Sequence, residues 1–345
     1  MMNEIKKDSA VSSDQDQQHQ PQASPQVVDR RKFLKTSAGA AAGAAVLGAS
    51  VLVGAGKVNA QDAGKPGKFS TPDWKTLKPG AKDSDMYTEE TGFDENNSDV
   101  TWWPGRNVSG VTIGLVQIRA NLPMMPGNMG NASTFDFPML YREMNVNNAM
   151  DVMEPKMTKN FTDGIVEAAK WLELQGVSAI MGNCGFFGHY QKVVQDRIDT
   201  PFFSSSLMML PMMVQSLPRN KKVGVLTANG PLLASGQAME NCGLSRELQA
   251  SRVVVEGCEN DKEFAKAMAL EGSYNVARVE ADVLKGIKRL LKKDKDIAVI
   301  MLECTELPPH AVAVQKMVKM PVWDYTSLTN WIYSGCVRRT FVGHI

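Results

Sequence analysis

From Val111 onward, short apolar runs rich in β-branched residues alternate with longer amphipathic stretches. The runs Val111–Ile118, Ala179–Met181, Pro201–Ser204, Lys222–Thr227, Arg252–Glu256, Ile297–Leu302 and Pro321–Asp324 predict strands. They are almost continuously apolar, as strands covered on both faces are. Apolar positions at helical spacing predict helices over Phe161–Gln175, Leu207–Leu217, Asn275–Lys293 and Ala311–Lys319. Strand–helix alternation of this kind predicts an α/β fold built on parallel sheet with helices on both faces.

The pattern also repeats within the chain. Ala179-Ile180-Met181-Gly182-Asn183-Cys184-Gly185 aligns with Val299-Ile300-Met301-Leu302-Glu303-Cys304-Thr305. A Pro-led strand, Pro201 or Pro321, begins 17 residues after each cysteine. Upstream, Ile113-Gly114-Leu115 matches Val223-Gly224-Val225. Two pseudo-symmetric doubly wound lobes follow, residues 110–221 with Cys184 and 222–345 with Cys304. In each, the cysteine stands where a buried strand gives way to a loop. Ligands of open α/β sheets bind beyond the carboxyl ends of the strands. A pseudo-twofold axis therefore predicts two cysteines facing each other across one crevice, with the active site between the lobes.

The first 109 residues lack this pattern. Residues 1–29 are polar and rich in Gln, Ser and Asp, a composition that does not fold by itself. Arg30-Arg31-Lys32-Phe33-Leu34-Lys35 then precedes a mildly apolar Ala/Gly stretch from Ala38 to about Gly56, and Val58-Asn59-Ala60 suits signal peptidase. Residues 1–60 resemble a twin-arginine signal peptide, with Asp29 where Ser or Thr is usual. The resemblance implies the twin-arginine export machinery as a partner and the periplasm as the working compartment. The stretch is long enough to span a membrane, but Ala and Gly leave it weakly hydrophobic, which favours cleavage over anchoring. Residues 61–109 read as an extended arm or linker, with Trp102-Trp103 docking on the body of the domain or closing over substrate.

Composition narrows the chemistry. A net charge of +1 over 345 residues gives no basic excess for neutralising phosphates, so nucleic acid is excluded as a partner. Five cysteines form no CxxC pair, and the four histidines form no HExxH or zinc-spaced cluster. No metal or organic cofactor is expected; two facing thiols suit chemistry on a small-molecule carboxylate as partner. A hydrogen alpha to a carboxylate is weakly acidic. Removing it needs a base on one face, and inverting the centre needs an acid on the other. A thiolate and a thiol supply both once their pKa values are tuned by nearby donors. Backbone N–H groups after each strand are suited to holding the carboxylate.

Gly182-Asn183-Cys184-Gly185-Phe186 and Leu302-Glu303-Cys304-Thr305-Glu306-Leu307-Pro308-Pro309 resemble the two cysteine motifs of the aspartate/glutamate racemase superfamily. Pro126-Gly127-Asn128-Met129-Gly130-Asn131 followed by Thr134-Phe135-Asp136-Phe137-Pro138 resembles its first substrate loop; Ser204–Leu207 and Leu328–Trp331 fit as well. The resemblance spans about 110–336. It implies a two-lobed, cofactor-free enzyme with Cys184 and Cys304 as its acid–base pair. Asn183, Gly185 and Thr305 would lie against the substrate carboxylate, with Gly127 and Asn131 in the substrate loop. Gly185-Phe186 stands where many amino-acid racemases carry Asn-Thr, and algal dimethylsulfoniopropionate lyases share the Cys-Gly-Phe form. An isomerase inverting the alpha carbon of an amino acid or derivative leads the functional expectations. A lyase of the same fold is the alternative, and a periplasmic solute-binding protein is the reading from another class.

Other residues have plainer expectations. His189 and His310 are read as making local hydrogen bonds, with a supporting role at the thiols as the alternative. Glu303 would orient a substrate ammonium, and Glu306 would cap the next helix together with Pro308. Met208, Met209, Met212 and Met213 read as core or as an interface between copies of the chain. Phe202, Phe203, Trp323 and Tyr325 read as core or as an aromatic wall for a cation. Cys242, Cys258 and Cys336 read as structural, with a Cys242–Cys258 disulfide left open.

Overall fold

The computed structural model describes residues 108–119, 122–146, 151–152, 157–269 and 273–341. The signal-peptide segment, Trp102-Trp103 and nearly all of the 61–109 arm lie outside them. The described residues fall within one compact unit, residues 71–345.

The architecture is α/β, with two four-stranded, all-parallel sheets. The first runs β2-β1-β3-β4 and the second β6-β5-β7-β8. Their strands are β1 (Ile113–Gln117), β2 (Met139–Glu143), β3 (Ala179–Gly182), β4 (Phe202–Phe203), β5 (Lys222–Thr227), β6 (Val253–Gly257), β7 (Ile297–Leu302) and β8 (Val322–Trp323). The repeat seen in the sequence reappears as register. Gly114 pairs with Ile180 and Gly224 with Ile300; Met181 pairs with Phe203 and Met301 with Trp323. The N–H groups of Ile180 and Ile300 donate to Pro201 and Pro321 carbonyls, both at 2.9 Å. The central strands β1, β3, β5 and β7 are almost wholly buried.

Parallel strands require crossovers, and two long helices supply the main ones. Helix Lys159–Leu174 starts at Thr158, whose side chain accepts from the Phe161 N–H. It buries Phe161, Ile165, Ala168, Ala169 and Leu172, one stripe at helical spacing. Helix Val276–Lys293 starts at Asn275, which accepts from the Arg278 N–H at 3.0 Å, and buries Val279, Val283, Ile287 and Leu290. Each such side chain contributes roughly 1.5–3 kcal/mol of burial. The two strand glycines are equivalent as well. A Cβ on Gly114 would lie 2.9 Å from Leu172, and one on Gly224 3.1 Å from Leu290. Glycine lets each long helix close onto its sheet.

Several elements differ from the sequence reading. β2 was not expected: Met-Leu-Tyr-Arg-Glu is only half-buried at a sheet edge, so its pattern is weak. Helix Tyr325–Cys336 follows β8, with a capping box between Asp324 and Ser327; Asp324 caps this helix rather than ending a strand. The methionines divide, with Met209 and Met213 buried and Met212 exposed. Cys242 and Cys258 are both free thiols, so no disulfide joins them. Among the described residues no helix is long and apolar enough to cross a membrane.

Candidate functional site

Both cysteines emerge from the same local structure. β3 ends at Gly182 and β7 at Leu302, and the next N–H bonds back across its sheet: Asn183 to Val116 at 3.2 Å and Glu303 to Leu226 at 2.8 Å. Each chain then turns, with Phe187 N–H donating to the Cys184 carbonyl and Leu307 N–H to the Cys304 carbonyl, both at 3.0 Å. The same two buried carboxyls, Glu303 and Glu306, act electrostatically on both thiols, and Cys184 acts on Cys304.

Their surroundings are unequal. Cys304 is 5% exposed, whereas Cys184 keeps partial exposure. Burial, then the Glu303 carboxyl, pushes the Cys184 thiol up to about 12, while the backbone N–H of Phe186 pulls the other way. Burial, then Glu303, Glu306 and Cys184, push the Cys304 thiol well above its ordinary value, with the Glu306 N–H as its opposing donor. Both are thiols at neutral pH until a proton acceptor or a positive charge arrives.

The two glutamates beside Cys304 are the unusual feature. Glu303 is fully buried; Oε2 accepts from the Thr227 hydroxyl at 2.7 Å and Oε1 has no hydrogen-bond partner. Glu306 is 3% exposed; Oε1 accepts from Asn128 Nδ2 at 2.6 Å and Oε2 is unpartnered. Burial raises both carboxyls to about 7, with one hydrogen bond each opposing it. The expected capping role of Glu306 does not occur, since the turn at Pro308–His310 carries no side-chain cap. Its carboxyl turns inward because Asn128, from the other lobe, meets it there.

The carboxylate-binding residues named from the sequence also tie the lobes together. Asn183 Oδ1 accepts from the Ile118 N–H at 3.0 Å, and its carbonyl accepts from the Thr305 hydroxyl at 3.0 Å. Gly185 packs directly on Glu303: a Cβ there would fall 1.8 Å from Oε1. Gly185→Ala should therefore displace the Glu303 carboxyl and cost about 1–3 kcal/mol, read by denaturant titration together with a loss of turnover. Unchanged stability and turnover would show that Glu303 is not held this way.

In the loop after β1, Gly127 adopts φ +102° and donates its N–H to Thr134 at 3.0 Å. Asn131 spends its side chain inside the loop, on the Met124 carbonyl and Ser133. Gly127 packs on the end of the second cysteine motif, where a Cβ would fall 3.0 Å from the Pro309 backbone, and Asn128 is the member of that loop whose side chain bonds to the motif. Tyr325 joins the site too, fully buried at the start of its helix, beside Ser205 and within electrostatic reach of both cysteines. Phe202 is core, and Phe203 meets Trp331 edge-on at 6.3 Å.

The histidines part company. His189 is buried with Nε2 unpartnered, 6.3 Å between ring centres from Phe186. His310 is bonded not locally but to Tyr274 and Glu280, more than 29 positions away in sequence. Asn128, Tyr274 and Glu280 were not singled out in the sequence. For Asn128 alone a signal existed, because it lies inside the motif-bearing loop.

No family model matches the chain. In sequence it is similar to dimethylsulfoniopropionate lyase 7 of Emiliania huxleyi (strain CCMP1516), 30% identical over 230 residues that cover 64% of this chain and 65% of that protein. It is also similar to the dimethylsulfoniopropionate lyase of Durusdinium sp. clade D, 27% identical over 68% of this chain and 78% of that one. The match thus spans slightly less than two thirds of the first relative's length. Among solved structures, a glutamate racemase isoform from Bacillus anthracis aligns with a TM-score of 0.46 at 15% identity, covering 65% of this chain and 80% of that one. The chain is thus related in sequence to dimethylsulfoniopropionate lyases, and its two cysteine motifs follow equivalent strands of two sheets of matching order.

Proposed function

We propose that the chain is a cofactor-independent lyase. It removes the alpha proton of a small carboxylate and expels a cationic beta substituent, with dimethylsulfoniopropionate as the representative substrate. The observation that carries this reading is the pair of buried carboxyls, Glu303 and Glu306, each with one unpartnered oxygen beside the thiols. Buried carboxylates need positive partners. A substrate with a fixed positive charge supplies one and also favours the thiolate over the thiol. Cys304 takes the alpha proton, the bond to the beta substituent breaks with its electron pair leaving on sulfur, and a carbon–carbon double bond forms. Cys184 lies at the opposite motif, where it and the loop backbone hold the carboxylate.

Relatives in sequence that bear the name of lyases support this reading, and they argue against a solute-binding protein. Inversion at the alpha carbon is the second reading, favoured by the matching placement of one cysteine after the third strand of each repeat. The unequal surroundings of the thiols favour elimination, because a racemase must work from both faces. The test offers the purified protein dimethylsulfoniopropionate and, separately, a panel of single-enantiomer amino acids. Dimethyl sulfide in the headspace is expected. Its absence, with loss of circular dichroism for an amino acid, would replace the lyase by the isomerase.

We further infer export by the twin-arginine route from Arg30-Arg31 and the Ala/Gly stretch behind them. Arg30→Lys with Arg31→Lys should leave the precursor in the cytoplasm, with its signal attached, on fractionation and blotting. Normal export and cleavage of that variant would rule the route out.

A further inference from the structure

The loop after β1 meets the second lobe at three consecutive residues. Gly127 packs on the Pro309 backbone, Asn128 Nδ2 donates to Glu306 Oε1 at 2.6 Å, and the Thr329 hydroxyl lies 3.4 Å from the Met129 sulfur. Asn128 is almost fully buried and held at every polar atom. Its N–H donates to the Met125 carbonyl, and its own carbonyl accepts from the Asn131 N–H and the Thr134 hydroxyl. Its side chain has one possible orientation. Oδ1 accepts from the Gly130 N–H at 2.8 Å, a group that can only donate, so Nδ2 must face the carboxyl.

Glu306 lies in the turn that closes behind Cys304, where the Leu307 N–H bonds back to the Cys304 carbonyl. The bond from Asn128 occupies one carboxyl oxygen and leaves Oε2 buried without a partner. Among the described residues no lysine, arginine or histidine acts on this carboxyl; Asn128 is its one opposing donor. The neutrality of that donor matters. An arginine or lysine at position 128 would fix the carboxyl but cancel its charge, whereas an amide fixes it and leaves the charge uncompensated. A buried carboxylate in that state is completed by a cation from outside.

We infer that Asn128 is the positioning residue that makes the site selective for cationic substrates: it fixes the Glu306 carboxyl in the turn behind Cys304 without neutralising it, so that Oε2 seats the positively charged beta group. A neutral substrate of the same shape leaves Oε2 unpaired and meets a carboxyl that has to take up a proton instead. The discrimination therefore comes as much from the penalty on the neutral molecule as from attraction to the cation. Glu303 is held separately, by Thr227, and its share of the attraction does not depend on Asn128. The inference rests on the lyase reading and deepens it by assigning a seat to the charge of the leaving group.

Two ligands of one shape separate charge from packing: 3-(trimethylammonio)propionate and its neutral isostere 4,4-dimethylpentanoate. Their dissociation constants are measured by titration calorimetry on the purified protein at pH 8, above the value of about 7 at which burial holds Glu306. Wild type should prefer the cation. Asn128→Leu should lower that preference about 10-fold, the effect of losing one hydrogen bond to a charged group, with the neutral acid bound as before. A merely structural role would weaken both ligands alike. Asn128→Ser guards against misfolding: serine also accepts from an N–H two residues on, so the turn to Gly130 survives, but its side chain is too short for Glu306. It should match Asn128→Leu. Glu306→Gln should lower the preference at least as far, and adding Asn128→Ser to it should lower the preference no further, because Asn128 acts only through that carboxyl. An unchanged preference in Asn128→Ser, a double variant that falls below Glu306→Gln, or a wild type that binds both ligands equally would each overturn the inference. A wild type that prefers the cation but releases no dimethyl sulfide from dimethylsulfoniopropionate would sink the lyase reading and leave the role of Asn128 standing.

Discussion

Cys304→Ala is expected to lower turnover by about 10²–10⁴-fold, the range for loss of a positioned proton-transfer group. Cys184→Ala is expected to lose activity as well, but to differ in kind. In a lyase the first thiol orients the carboxylate and its loss raises KM along with the fall in kcat, whereas loss of Cys304 strikes kcat alone. In a two-base isomerase either change would stop both directions equally. Neither substitution should unfold the protein. Both thiols end loops anchored by backbone bonds of 3.0 Å that alanine retains, and removing one sulfur leaves only a small cavity. The measurements are steady-state kinetics on both variants and their thermal melting. Full turnover by Cys304→Ala would remove this residue from the chemistry.

Glu303→Gln should have the second largest effect, and it acts on stability and activity in opposite directions. The folded protein holds Glu303 and Glu306 near 7, well above the ordinary 4.5 of an exposed carboxyl. Between those pH values the folded state keeps protons that the unfolded chain has released. Protons therefore favour folding there. The contribution is complete below about pH 4.5 and is lost as pH rises through about 7. At 1.36 kcal/mol per unit of pKa, each carboxyl accounts for roughly 3 kcal/mol as an upper figure. Wild type should be less stable at pH 8 than at pH 5 by several kcal/mol, and Glu303→Gln should lose about half of that slope. At pH 8 the variant is expected to be the more stable protein, yet a poorer enzyme, because the substrate cation has lost a counter-charge. Urea titrations at the two pH values and kcat/KM at pH 8 check both halves. An unchanged pH slope in Glu303→Gln would mean that its carboxyl is not held near neutrality.

The coexistence of those two effects explains how such a site is tolerated. Two carboxyls with unpartnered oxygens are held next to two thiols by Thr227, Asn128 and the bare face of Gly185. The surrounding sheets, buried at every central strand, supply the stability that the site gives up.

Much of this was determined by the sequence alone. Continuous apolar runs separated by amphipathic stretches dictate parallel sheet with covering helices, since only that arrangement buries both kinds of surface. The 17-residue spacing after each cysteine and the paired Gly114 and Gly224 foretold two sheets in the same register, because a repeated pattern of apolar positions repeats the same strand pairing. The elements that escaped did so for local reasons. β2 is half-buried and carries Tyr, Arg and Glu, and Asp324 reads equally as a strand end or a helix cap until its partner Ser327 is in place. What only the tertiary structure decided are contacts between segments remote in sequence. Asn128 meets Glu306 across 178 positions, Thr305 meets Asn183 across 122, and His310 meets Tyr274 across 36. Periodicity encodes which face of an element is buried, but not which polar group awaits it there. That pairing is set when the lobes close, and the same closure removes water from Glu303, Glu306 and both thiols and so shifts their proton affinities.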